Sequence, residues 1–280
     1  MRNNEIFDCG TGGIQGHDNF DALVEYNHLH HIGWQDTEYY WECAAIKLLI
    51  NRRTITQFNE IHDIVAANAI WLDWDNQNSR ITSNLIYDVM PADGGALYIE
   101  ASRETPNWID HNVLWNVANL GVSVFDSDSI LVFNNLFAYT GMPFMSKVNT
   151  SRTMNGKPLT SKGNLLLYNI FYKNRSLPVR ADDSNKAHYN LFVDDNFTTF
   201  KQENWGEGND EIDLDISFTD KVMTFSLLND FPLFNTDLSV KKDIWLKELP
   251  NEKISCGPFN TFFKGEAMFD FSNFINAAEE

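Results

Sequence analysis

The sequence lacks the marks of several large protein classes. Only three of its 280 residues are cysteine: Cys9, Cys43 and Cys256. They are odd in number and far apart, which excludes a disulfide framework and the paired spacing of a cysteine zinc site. Free cysteines favour a reducing compartment. Basic residues are also scarce, 21 Lys and Arg against 39 Asp and Glu, for a net charge of −18. Nucleic acids and anionic membrane surfaces both need a basic footprint, so neither is expected as a partner. No apolar run approaches membrane-spanning length. The first 30 residues contain no apolar signal-peptide core, so the expected location is cytoplasmic. No window sustains a helical period. Ser/His/Asp and Cys/His triads, phosphate loops and CxxC pairs are missing too, and nothing calls for a cofactor or a metal.

What is present is a repeat. A short phrase of asparagine followed by mostly apolar residues recurs: YNHLHHI at Asn27, FNEIHDI at Asn59, SNLIYDV at Asn84 and HNVLWNV at Asn112. It continues as NNLFAYT at Asn135, YNIFYKN at Asn169 and YNLFVDD at Asn190. The intervals are 32, 25, 28, 23, 34 and 21 residues. Self-similarity at this period marks a solenoid, and the short alternating runs make it a β one. The expected fold is all-β: a right-handed parallel β-helix whose coils run from about Asn19 to Phe197, with the asparagines stacked in a ladder at one bend. An asparagine at such a bend is expected to take the left-handed conformation. After residue 200 the pattern changes. Residues 1–200 are expected to form the β-helix domain, and 201–280 a C-terminal segment packed on the coils and capping them.

A second motif precedes four of the asparagines: AIKLL at Ala45, AIWLD at Ala69, ALYIE at Ala96 and GVSVF at Gly121. The second and fourth residues of each are aliphatic and should face inward. The third and fifth then point outward: Lys47 and Leu49, Trp71 and Asp73, Tyr98 and Glu100, Ser123 and Phe125. Asp73 and Glu100 therefore share one position on successive rungs, about 4.8 Å apart. That suits the carboxylate spacing of a retaining glycosidase better than an inverting one. Stacking like charges is costly and drives their pKa values apart, which separates an acid from a nucleophile. Trp71, Trp74, Tyr98 and Phe125 offer flat surfaces of the kind sugar rings stack on. Asp126 and Asp128 follow the last strand and are placed to line the same cleft, and Glu42 to reach its rim.

Weaker candidates have plainer readings. His30 and His31 are adjacent on a strand, point to opposite faces and make a poor ligand pair. Asp182 and Asp183 read as a polar turn. The stretch SKVNTSRTMNGKPLTSKG, Ser146 to Gly163, reads as a loop placed to hang over the cleft. Lys47 is the one cation in the aligned stack, so a lyase fits less well than a hydrolase.

The runs ECAAIK (Glu42 to Lys47), AIWLDW (Ala69 to Trp74), RITSNLIYD (Arg80 to Asp88) and ALYIEAS (Ala96 to Ser102) resemble the β-helix core of glycoside hydrolase family 120, the retaining β-xylosidases. The resemblance implies Asp73 as nucleophile, Glu100 as general acid/base and Glu42 as a sugar-binding residue. It implies a neutral oligosaccharide as substrate, and it allows a homo-oligomer. Where the family has an Asn-His-Gly-Pro-like turn, Glu100 is followed by Ala-Ser-Arg-Glu-Thr-Pro, and the loop from Met90 to Gly95 is longer. Family members also carry an upstream β-sandwich, so this chain is expected to start partway into the helix. The competing expectations are a β-helix carbohydrase or lyase for another sugar, and a glycan-binding β-helix without catalysis.

Overall fold

The computed structural model describes residues 1–35, 42–91, 94–176, 179–181, 184–193, 212–228, 233–235, 253–259 and 264–272. Each coil gives one strand to each of three parallel sheets. In the first coil, Glu5–Cys9 lies in sheet one, Ile14–His17 in sheet two and Leu23–Glu25 in sheet three. The chain then turns at Asn27, and His28–Ile32 lies parallel to Glu5–Cys9. Among the described residues sheet one has eight rungs and sheets two and three have seven each. The fold is the right-handed parallel β-helix that the repeat predicts. Its coils begin before Asn19. Asn4 opens the same phrase, with Glu5 and Asp8 standing where the Asn59 phrase has Glu60 and Asp63, and its strand is largely exposed. The last described rung is Leu191–Val193. Phe197, Asp182 and Asp183 lie outside the described residues.

The interior is a stack of aliphatic and aromatic side chains, one layer per coil. Ile46, Ile70, Leu97, Val122 and Phe144 pair rung to rung in sheet two and are fully buried. On sheet one, Phe137, Phe171 and Phe192 stack face to face at 5.1 and 4.8 Å. Each such layer contributes about 1.5–3 kcal/mol per side chain.

The asparagine ladder stands at the bend from sheet three to sheet one. Each amide nitrogen donates to the next coil's Oδ1, from Asn4 through Asn27, Asn59, Asn84, Asn112, Asn135 and Asn169 to Asn190, at 2.8–3.0 Å. The left-handed residue is not the asparagine, as expected, but its predecessor. Tyr26, Phe58, Ser83, His111, Asn134, Tyr168 and Tyr189 all have φ between 52° and 58°. The turn is made one residue early, which leaves the Asn backbone N–H free to bond the next coil's amide oxygen.

The C-terminal strands Leu214–Thr219, Val222–Leu227 and Gly265–Asp270 form an antiparallel sheet. Its Ile216, Met223 and Phe225, with Phe271 just beyond the last strand, share one buried cluster with Leu85, Val113, Leu136, Ile170 and Leu191 of sheet one. Those five residues occupy successive rungs. The described part of the segment therefore packs along a flank of the solenoid.

Candidate active site

Sheet two presents the two outward columns expected from the aligned motifs. Lys47 pairs with Trp71, and Leu49 with Asp73. Trp71 pairs with Tyr98, and Leu72 with Ile99, a register that carries Asp73 alongside Glu100. Glu100 in turn pairs with Phe125. The inward residues belong to the coil core, whereas Trp71, Tyr98 and Phe125 form a separate cluster with Met145.

The three rings are not open platforms. Trp71, Tyr98 and Phe125 are 3%, 7% and 2% exposed. Trp71 stacks on Tyr98 at 5.1 Å, and Tyr98 meets Phe125 edge-on at 5.4 Å. Neighbouring rungs bring wide rings into contact, so each ring covers the next. Trp71 Nε1 is buried and lacks a hydrogen-bond partner among the described residues. Trp74, half-buried, lies at the corner with φ 46° and packs against Met154 and Leu159.

Each carboxylate has its own cation. Lys47 Nζ lies 3.1 Å from Asp73 Oδ2, also contacts exposed Glu42, and sits 3.6 Å from the centre of the Trp71 ring. Arg152 Nη2 contacts Glu100 Oε1 and lies 3.3 Å from Asp126 Oδ2, with its guanidinium over Trp74 at 5.3 Å. Burial pushes the Asp73 carboxyl above its ordinary pKa, and Lys47 partly opposes this. Burial also pushes Glu100 up. The Asp73 charge adds to that rise, while Arg152 and a hydrogen bond from Tyr98 oppose it. The carboxylate side chains are only 14% and 12% exposed.

Arg152 could not be placed from the repeat because it stands in the long insert between Asn135 and Asn169. The insert folds back over the site. Thr153–Met154 and Lys157–Pro158 form a small hairpin closed by Asn155 and Gly156, at φ 50° and 73°. An Asn-Gly pair with both residues left-handed is the preferred two-residue hairpin turn, so the sequence did carry a signal for it. Asp126 and Asp128, expected as cleft walls, instead grip the two ends of this insert. Asp126 accepts from Asn149 N at 2.7 Å, Thr150 N at 3.2 Å and Thr150 Oγ1 at 2.7 Å. Asp128 accepts from Thr160 Oγ1 at 2.7 Å and Lys162 N at 2.8 Å. A wide hollow of about 810 Å³ lies elsewhere, lined by His31, Trp34, Val65, Met90 and Arg175 among others. The paired acids are not part of it.

The comparisons with known proteins bear on the β-helix that carries these side chains. A family model described as "Right handed beta helix region" matches residues 1–137. No curated protein matches the chain. The solved structure described as the complex structure of XylC with xylose aligns with a TM-score of 0.69 at 20% identity, over 96% of this chain and 51% of that one. This chain thus spans about half the length of that protein, and at such identity the likeness is one of fold. A mutant of the periplasmic alginate epimerase AlgG aligns with a TM-score of 0.47 at 15% identity, over 69% of this chain and 49% of that one. That match is too loose to carry an argument.

Proposed function

We propose that the chain is a retaining glycoside hydrolase of the family 120 type, releasing β-linked xylose from a neutral xylo-oligosaccharide. The reading is carried by one observation: Asp73 and Glu100 stand on consecutive rungs of one outer face, each held by its own cation. A rung spacing of about 4.8 Å suits the roughly 5–5.5 Å carboxyl separation of double displacement, and leaves no room for the water an inverting pair holds between them. The xylose bound by XylC supports the choice of sugar.

In this reading the Asp73 carboxylate, kept ionised by Lys47, attacks the anomeric carbon while Glu100 gives its proton to the departing glycosidic oxygen. The C–O bond breaks with its electrons, and a glycosyl ester forms on Asp73. Glu100, now ionised, takes a proton from water. The water oxygen attacks the same carbon and frees Asp73, so two inversions give net retention. Arg152 opposes the protonated state of Glu100, but it also contacts Asp126 and covers Trp74, so it has partners when Glu100 carries the proton.

A panel of aryl glycosides tests the proposal, with the anomer of the first product read by proton NMR. Release from the β-xyloside with β-xylose formed first is expected. Formation of α-xylose first, or silence on every glycoside with glycan binding retained, would sink it. Arg152 and Lys47 specifically favour one second reading, a uronic-acid substrate whose carboxylate meets these cations. Release from an aryl β-glucuronide alone would establish that reading in place of the first.

A further inference from the structure

The outer face of sheet one carries a second cluster, remote from sheet two and its carboxylates. The register aligns Glu5, His28 and Glu60 in one column and Phe7, His30, His62 and Tyr87 in the next. Beyond Glu60 the first column turns apolar, with Leu85, Val113 and Leu136, and is covered by the C-terminal sheet. The histidines occupy the polar end of the columns.

His28 Nε2 and His62 Nε2 face each other at 2.8 Å. His62 Nδ1 lies 2.7 Å from the Asp63 carboxylate, which fixes its proton on Nδ1 and leaves Nε2 with a bare lone pair. His28 Nδ1 lies 3.7 Å from Glu5 Oε1, too far for a hydrogen bond, so both His28 tautomers are open, including the one with a second bare Nε2. Two lone pairs at 2.8 Å repel unless a cation lies between them. A proton on His28 Nε2 relieves the contact but turns its bare Nδ1 towards Glu5. Glu60 Oε1 lies 4.0 Å from His62 Nε2, and its side chain is fully buried. The ligand atoms of His28, Glu60 and His62 all fall within 4.8 Å of one another. Zinc bonds of about 2.0–2.1 Å in a tetrahedron set ligands roughly 3.3 Å apart, so modest side-chain adjustments close the site.

We propose that His28 Nε2, His62 Nε2 and Glu60 Oε1 form a binding site for one divalent transition cation of the zinc type. Asp63 orients the His62 imidazole, and a fourth position remains for water. Glu60 also accepts from Tyr87 OH at 2.8 Å, and Lys221 bridges its two oxygens at 2.7 and 2.8 Å. A metal on Oε1 leaves Lys221 on Oε2. Lys221 belongs to the hairpin between Leu214–Thr219 and Val222–Leu227, so the bound cation would also tie the early coils to the C-terminal sheet.

The test uses the full chain stripped with chelator, titrated with ZnCl2 and, separately, CoCl2. One zinc per chain is expected, with affinity falling at least 100-fold in His28→Gln and in His62→Gln. It should be unchanged in His17→Gln and His188→Gln, whose residues are exposed elsewhere. Cobalt in the wild-type chain should give the intense visible bands of a four-coordinate nitrogen and oxygen site, a readout that needs no variant to fold. No zinc uptake, or uptake by the His28 and His62 variants equal to that of the wild type, or only the weak bands of six-coordinate cobalt, would overturn the site.

Discussion

The Lys47 ammonium lies 3.1 Å from Asp73 Oδ2 and 3.6 Å from the centre of the Trp71 ring, although its backbone stands one full rung away. The cation is itself nearly fully buried, so its field on Asp73 is weakly screened. Lys47→Met should therefore raise the Asp73 pKa further, because the charge that opposes burial is gone. The nucleophile must be ionised, so the acidic limb of kcat/KM moves to higher pH. The pH profile of aryl xyloside hydrolysis checks this, and an acidic limb that stays put would remove Lys47 from the mechanism.

Arg152 acts on the other limb. Burial and the Asp73 charge raise the Glu100 pKa, and the Arg152 charge limits that rise. Removing it in Arg152→Ala should let that pKa rise. The acid then stays protonated to higher pH, and the alkaline limb moves upward. Activity should fall at neutral pH by roughly 10-fold, because the insert loses its anchor to Glu100. A downward shift of the alkaline limb would contradict the assignment.

The two carboxylates should separate by leaving group. Glu100→Gln should be mild on an activated aryl xyloside and severe on xylobiose, and added azide should be trapped as the β-xylosyl azide. Asp73→Asn should abolish turnover of both. An α-azide from the Asp73 variant, with Glu100→Gln dead on every substrate, would exchange the roles.

Asp110 gives a stability prediction. It is fully buried, which alone would raise its pKa. Two hydrogen bonds from Arg80 at 2.6–2.7 Å and one from His111 at 2.8 Å prevail, and hold it down at about 2. A depressed carboxylate adds stability above its unfolded pKa of about 4, and that stability is lost as pH falls towards 2. Chemical denaturation should find wild type ahead of Asp110→Asn by about 2–3 kcal/mol at pH 6, with the gap closing between pH 4 and pH 2. A gap constant with pH would mean the charge contributes nothing.

The ladder should be most sensitive in its middle. Asn112 donates to Ile81 O, Asp110 O and Asn135 Oδ1 and accepts from Asn84, all buried. Asn112→Ala should cost about 3 kcal/mol or more, since it orphans several buried groups. Asn4→Ala, at a part-buried position, should cost under about 1 kcal/mol. Denaturation midpoints decide, and equal costs would show that the ladder is not a coupled stack.

The period of the asparagines made the fold readable, because a coil must return to the same corner and the corner needs a residue that bonds upward. The inward and outward alternation was readable for the same reason: Ile70 and Leu72 cannot face the core unless Trp71 and Asp73 face out. What a neighbouring rung does to a side chain was not readable. The rings of Trp71 and Tyr98 close over each other, and that depends on contacts across coils. Arg152 was hidden because the insert follows no repeat, although Asn155-Gly156 marks its hairpin. The left-handed residue was misplaced by one. Tyr26, Phe58 and Tyr168 take φ near 55°, residue types that local preference alone would not put there. The histidine cluster was missed because the adjacent pair His30 and His31 was weighed, and not His28 with His62, 34 positions apart.

The insert leaves the sheets on either side of it undisturbed. Leu120–Phe125 pairs in register with Met142–Lys147, whose Phe144 in turn pairs with Val179. Asp73 and Glu100 are thus inherited with the winding of the solenoid, while Arg152 arrives on a detachable piece held at its ends by Asp126 and Asp128. The reactive pair and its surroundings can then diverge separately. Transplanting residues 148–162 from one such solenoid to another is a route to a new substrate preference that never touches the rungs on which the chemistry stands.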